Sequence, residues 1–448
     1  MKLGKNRMKK MEISVITSET VNFPSHASTQ PFKLSLIDQM FPSSLYFPVI
    51  LFFNPPTTPL DFATQLKKSL AQTLLSFYPI AGSTLDNVYI DRFDKGVRFI
   101  ETRVTNFNSL SDYLQELEIE TLNLLFPCQP HLEVTEPPKE QVLVQLNRFN
   151  CGGIALGICF SHKIIDGATG SLFLKNWAAN NTEMHFPDGK KKNEIKHPDL
   201  SAGSQLFPPQ ESNSQDIPTF IVGDHKKRKT KRFGFTSEAV EKLRLKCKGK
   251  VVKKPSRVEA LTAFIWKSMV SASRSVTTVV KPSVIVQVVN LRSRTNPPLP
   301  QNAIGSLIWR GAVTHDKEEM ELSELVCMQR EMLQNISENG FQVIKERMKM
   351  TQDMFSKSMD RVELYGFSSW LGFGFHEINF GWGKPVWIGI FGETGVPSTN
   401  LTILKELGGS TNSVEAWITF EEEKMSILEN DPEFLAFAIP NPPIKLLD

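Results

Sequence analysis

From Gly153 to Phe160 the chain alternates residue by residue between small and bulky side chains. Gly153, Ala155, Gly157 and Cys159 fall on one side, and Ile154, Leu156, Ile158 and Phe160 on the other. A period of two is that of a strand, and the bare side suits close approach of another backbone. Just upstream Val142, Val144 and Leu146 alternate with Leu143, Gln145 and Asn147, and Cys151-Gly152-Gly153 reads as the intervening turn. The two runs therefore predict a β-hairpin. His162 stands at the end of its return strand, in phase with the bulky, inward face.

That histidine opens the stretch Ser161-His162-Lys163-Ile164-Ile165-Asp166-Gly167, which leads into an apolar helix containing Leu172, Phe173 and Trp177. Taken alone, a histidine and an aspartate four apart occur often by chance, and a lone histidine is more commonly a core residue than a catalyst. Residues four apart also share a helical face and could ligate a metal, but no third ligand lies nearby. Imidazole, with an ordinary pKa of about 6.5, is mostly neutral at cellular pH and can take a proton from an alcohol.

With 448 residues the chain exceeds the size of a single core, so two domains of roughly 200 residues each are expected. Its 51 basic and 48 acidic residues leave a net charge of only +3, which gives no reason to expect nucleic acid or an anionic membrane as partner. A small-molecule partner fits better. Cys128, Cys151, Cys159, Cys247 and Cys327 form an odd, scattered set unlike a disulfide framework or a zinc site, which points to a reducing compartment such as the cytoplasm. The apolar stretch from Phe47 to Phe53 is far too short to span a bilayer. Residues 1–10 read as a ragged basic tail rather than a signal peptide, and either Met1 or Met11 could open the native chain.

Along the chain, Phe32 to Phe53 reads as strand and loop, and Leu66, Leu70, Leu74 and Phe77 recur at helical spacing. Residues 11–181 form the expected first domain. Residues 182–218, polar and rich in Pro, Ser and Asn, read as a linker, and residues 219–448 as the second domain. The run Lys226 to Arg232 is basic enough to suggest an RNA patch, but no RNA-binding motif accompanies it, and the solvated edge of a strand is the better reading. Beyond it lie an expected helix (Val258 to Ser271), a buried strand (Val284 to Asn290), a Pro-rich turn after Asn296 and a helical tract from Lys317 to about Ser358.

Four further motifs accompany the histidine: Leu34-Ser35-Leu36-Ile37-Asp38-Gln39, Tyr78-Pro79-Ile80-Ala81-Gly82, Val289-Asn290-Leu291-Arg292-Ser293-Arg294 and Asn379-Phe380-Gly381-Trp382-Gly383-Lys384-Pro385. In this order they resemble the motif set of plant BAHD acyltransferases, from Met11 to the C-terminus. The group of alkaloid O-acetyltransferases is the most similar within that family.

The resemblance implies an α/β fold of two chloramphenicol acetyltransferase-like domains, each a mixed β-sheet with flanking helices, joined by a long crossover loop. It implies an acyl-CoA co-substrate, acetyl-CoA first, with no permanently bound cofactor and no metal. The partner is an alcohol acceptor, an alkaloid by that similarity, and the chain is expected to act as a monomer. His162 is the implied general base. Ser368, and after it Trp370, are the implied donors to the oxyanion. Asp166 pairs with Arg292 to fix the loop that carries the histidine, and Asn379, Gly381, Trp382 and Gly383 form an architectural bend. Ser256 and Arg257 are implied to contact coenzyme A. The sequence departs from the family pattern at Asn379, where aspartate is usual, at Ser83, where arginine is usual, and at Ile165, a position often small, which would narrow the acceptor pocket. Rival readings are a non-catalytic ligand-binding relative, a malonyl or longer-acyl transferase acting on a terpenoid or phenolic alcohol, and a thioesterase that uses water.

Overall fold

The computed structural model describes residues 11–23, 29–55, 61–84, 86–107, 109–128, 138–185, 194–210, 227–277, 279–338, 361–392 and 400–444. The expected tail at 1–10 lies outside them.

Through residue 185 the order is β1 (Glu12–Val21), β2 (Phe32–Lys33), α1 (Leu36–Gln39), β3 (Tyr46–Phe53), α2 (Phe62–Ser76), β4 (Tyr89–Ile90), β5 (Val97–Thr105), α3 (Leu110–Gln115), β6 (Val142–Arg148), β7 (Ile154–Ser161) and α4 (Gly167–His185). β6 and β7 form the antiparallel hairpin, with Val144 opposite Ile158 and Leu146 opposite Leu156. Every residue of β7 is buried. The small side is where another backbone arrives: a Cβ on Gly157 would stand 2.1 Å from the carbonyl oxygen of Leu125. Leu66, Leu70 and Leu74 of α2 are fully buried, each worth about 1.5–3 kcal/mol relative to exposure. Trp177 of α4 joins the same layer, its indole N–H donating to the Leu66 carbonyl at 3.1 Å.

After residue 194 come α5 (Ala202–Leu206), β8 (Arg228–Phe235), α6 (Ser237–Lys246), α7 (Arg257–Ser275), β9 (Ser283–Asn290), β10 (Ile308–His315), β11 (Glu363–Ser369), β12 (Trp387–Gly389), β13 (Asn400–Leu407), β14 (Ser410–Glu421) and β15 (Ile439–Pro440). A six-stranded sheet has the order β1-β5-β6-β7-β3-β12 and a seven-stranded sheet the order β10-β9-β11-β13-β14-β8-β15. The fold is thus mixed α/β with two large sheets, each with its own core, beside the small two-stranded pair β2-β4. The two halves of the chain are interlocked: β12, from beyond residue 380, pairs with β3, while Leu36, Ile37, Met40 and Phe41 pack into the second core.

Two stretches differ from the sequence expectation. The helical tract expected from Lys317 starts at 322 and is described to 338, its continuation lying outside the described residues. The basic run is not simply a solvated edge. β8 lies between β14 and β15, so alternate side chains turn inward, and Arg228, Thr230 and Arg232 are buried. Arg232 is compensated there by Glu415 at 2.5 Å, whose other oxygen lies 2.9 Å from Lys405. The outward Lys229 pairs with Glu422 at 2.7 Å.

Candidate active site between the two sheets

The tight turn 162–165 joins β7 to α4, and five contacts fix it. The backbone N–H of His162 donates to the Leu45 carbonyl at 2.7 Å. Ser306, from the segment leading into β10, donates its hydroxyl to the His162 carbonyl. Ile165 bridges Gly305. Asp166 accepts from the Thr169 N–H at 2.8 Å and so caps the first turn of α4. Lys163, the fifth anchor, donates to the Phe41 carbonyl at 2.9 Å.

Asp166 and Arg292 meet across the junction. Arg292 stands just past the end of β9, its Nη1 2.7 Å from Asp166 Oδ2 and its Nη2 3.2 Å from Oδ1. Both side chains are 1% exposed. The remaining guanidinium donors go to the Ala303 carbonyl at 3.0 Å, the Thr169 hydroxyl at 2.9 Å and the Asn290 side-chain oxygen at 3.2 Å, so the buried charge is met by acceptors on every side. Asp166 is therefore occupied with capping and pairing.

The imidazole of His162 is half-buried between two rings. Phe41 stacks on it with centroids 5.4 Å apart and planes at 24°, and Phe47 lies at 4.7 Å. Phe47 in turn meets the edge of Trp370 at 6.0 Å. This chain of rings links His162 of the first sheet to the segment 368–370 at the end of β11 in the second. Ser368 is half-buried there. The backbone N–H of Trp370 is already given to the Leu404 carbonyl at 2.7 Å, which leaves its indole as the donor it could offer an oxyanion. Trp370 also lines a cavity of about 290 Å³ with Phe375, Trp387, Lys405 and Glu406 among its walls.

Burial sets the charges near the histidine. The Lys163 ammonium, 3% exposed, is pulled down to about 8 by loss of solvent, opposed by the nearby Asp38. Asp38 is itself pushed up by burial although it accepts from Ser35 and Ser306. Among the described residues no group of three or more His, Cys, Asp or Glu side chains is gathered as a metal site would require.

The other candidate residues fall elsewhere. Asn379 Oδ1 accepts from the N–H groups of Gly381 at 2.9 Å and Gly383 at 3.0 Å. Both glycines have positive φ, 107° and 123°, which only glycine adopts at low cost. Phe380 and Trp382 stack at 5.3 Å, and Trp382 stands edge-on to Phe62 at 4.9 Å. The Asn181 amide donates to the Phe380 carbonyl at 2.7 Å, so this bend is docked on α4 in the first core. Ser256 is the N-cap of α7 in a capping box with Glu259, and Arg257 is the first helical residue. Ile165 is fully buried in the first core, and its backbone bridges Gly305. Phe41, Phe47, Lys163 and Ser306 were not singled out from the sequence. Of these only Lys163, inside the motif, carried a local signal.

The Transferase family model matches residues 11–435. Akuammiline synthase 2 of Alstonia scholaris is 33% identical over 97% of this chain and 99% of its own length. Stemmadenine O-acetyltransferase of Catharanthus roseus is 34% identical over 94% and 97%. The crystal structure of vinorine synthase superposes with a TM-score of 0.81 at 30% identity, covering 95% of this chain and 98% of that one.

Proposed function

The chain belongs to the BAHD family of acyl-CoA-dependent acyltransferases, and within it we propose that it is an O-acetyltransferase that acylates a hydroxyl of an alkaloid, with His162 as general base. The observation that carries this reading is the position of the His162 imidazole, held between Phe41 and Phe47 at the seam where the two sheets meet. The relatives named for acetyl transfer to an alkaloid support the choice of donor and acceptor.

In the proposed reaction the imidazole takes the proton of the acceptor hydroxyl as its oxygen attacks the thioester carbonyl. The resulting oxyanion needs a donor already in place. Ser368 is assigned that part, because its side chain makes no hydrogen bond among the described residues and it belongs to the segment that reaches the histidine through Trp370 and Phe47. Collapse of the intermediate breaks the C–S bond, and the departing coenzyme A thiolate recovers the proton from the imidazolium. The products are the ester and the free thiol. Asp166 and Arg292 hold the loop and take no proton. Ser256 and Arg257 remain proposed contacts for coenzyme A, alongside the cap that Ser256 already provides. The division into domains at 182–218, a monomeric state and a cytoplasmic location belong to the same reading.

Incubation of the purified chain with acetyl-CoA, malonyl-CoA or a longer acyl-CoA and a panel of alkaloid and terpenoid alcohols, including stemmadenine, tests it by mass spectrometry. An acetyl ester formed from acetyl-CoA and an alkaloid supports the proposal. Thiol release that is independent of any acceptor would favour a thioesterase, and no turnover across the panel a ligand-binding relative.

A further inference from the structure

Lys163 carries a charge into a place where an apolar side chain of similar length would need no desolvation. It is 3% exposed, and its ammonium donates to the carbonyls of Phe41 at 2.9 Å and Gln39 at 3.4 Å. The Gln39 carbonyl, at the C-terminal end of the four-residue α1, also accepts from the Asn87 amide at 3.2 Å, whereas the Phe41 carbonyl, two residues beyond it, has Lys163 as its donor. Buried and unmet, the Phe41 carbonyl would be costly. We propose that Lys163 is a positioning residue for the base: by clasping the Gln39 and Phe41 carbonyls it holds the Phe41 ring against the His162 imidazole.

This inference rests on the reading of His162 as base. The geometry supports it from both ends of the segment. His162 grips the Leu45 carbonyl through its own N–H at 2.7 Å, while the next residue grips Gln39 and Phe41. Two consecutive residues of the turn therefore pin a stretch whose one aromatic side chain stacks on His162 at 5.4 Å. The front of that stretch is rigid, since Ser35 and Asp38 form a capping box. Asp38 also accepts from the Ser306 N–H at 2.6 Å, and Ser306 in turn bonds the His162 carbonyl. The clasp and the histidine thus belong to one closed network.

The charged group that acts on Lys163 is Asp38 on α1. Because burial brings the ammonium to about 8, it gives up its proton between about pH 7 and 9, leaving an uncharged amine with one donor fewer and a weaker hold on two carbonyls. The grip on Phe41 then loosens in that window.

Diethyl pyrocarbonate, which carbethoxylates an imidazole nitrogen, reads this without any acceptor alcohol. Its rate at His162 in the full chain is followed by peptide mass spectrometry, relative to N-acetylhistidine in the same buffer, with melting temperature recorded. Lys163→Met and Phe41→Leu should each raise the His162 rate about fivefold or more at pH 7. The natural chain should show a severalfold relative rise between pH 7 and 9, and Lys163→Arg, whose guanidinium does not titrate there, should show none. A Lys163→Met rate equal to that of the natural chain would overturn the proposal. So would an unchanged pH profile in Lys163→Arg, which decides the matter if Lys163→Met fails to melt cooperatively. Failure of the base assignment is a separate result, namely retained acetyl transfer in His162→Ala, and leaves these rates as they are.

Discussion

Arg292 Nη1 stands 2.7 Å from Asp166 Oδ2, and neither side chain is more than 1% exposed. One residue lies just past β9 of the second sheet and the other just before α4, so the pair ties the loop that carries His162 to both halves of the molecule. Removing one partner of such a pair leaves the other charge buried without compensation, typically at about 3–5 kcal/mol. Asp166→Ala is therefore expected to lower the urea midpoint by that equivalent and to lose folded protein and acyl transfer together. Loss of turnover with an unchanged midpoint would give Asp166 a direct catalytic part.

Asn379 occupies a position where the family usually has aspartate, and its Oδ1 accepts from two glycine N–H groups at 2.9 and 3.0 Å. An aspartate oxygen can accept the same pair. Asn379→Asp should shift stability by no more than about 1–2 kcal/mol in either direction and leave acyl transfer in place. Asn379→Ala, which strands both donors, should cost more than Asn379→Asp. Paired urea melts decide the order, and equal midpoints for the two variants would refute it.

How far these features were legible in the sequence differs by residue. The hairpin showed in the alternation from Gly153 to Phe160, because a strand's period is local, and the partnership of Asp166 and Arg292 followed from two recognisable motifs 126 residues apart. The hold of Ser306 on His162 left no trace, since a lone serine 144 residues away has no pattern. Strand β12 was hidden for a similar reason: the three residues Trp387–Gly389, from the second half of the chain, complete a sheet whose other strands lie before residue 162, and nothing in their composition names that partner. Arg232 looked solvated because basic residues on both faces of a strand read alike until the burial of one face is known.

His315 ends β10 and is 2% exposed, with neither ring nitrogen bonded among the described residues. Burial holds its pKa below the ordinary value of about 6.5, more than the nearby Glu324 raises it. The neutral imidazole is thus the native form, and the unfolded chain binds the extra proton. The contribution to stability is complete above about pH 6.5 and is lost progressively as pH falls below it, toward the depressed native value. His315→Phe should reduce the difference in urea midpoint between pH 7.5 and pH 5.5. An identical difference in the variant would contradict this.

Ser368, on the segment that reaches His162 through Trp370 and Phe47, is the proposed donor to the oxyanion. Loss of a single oxyanion donor commonly costs about 10²- to 10³-fold in kcat. Ser368→Ala should fall by about that factor with KM for acetyl-CoA little changed. A variant with unaltered kcat would move the role to the Trp370 indole.

The central claim is that His162 takes the proton of the acceptor alcohol. Steady-state acyl transfer by His162→Ala, measured beside its thermal melt, tests it most directly. General-base catalysis is worth about 10²- to 10⁴-fold, so the variant should lose at least the lower of these while melting as the natural chain does. A folded His162→Ala protein that turns over at close to the natural rate would contradict the account.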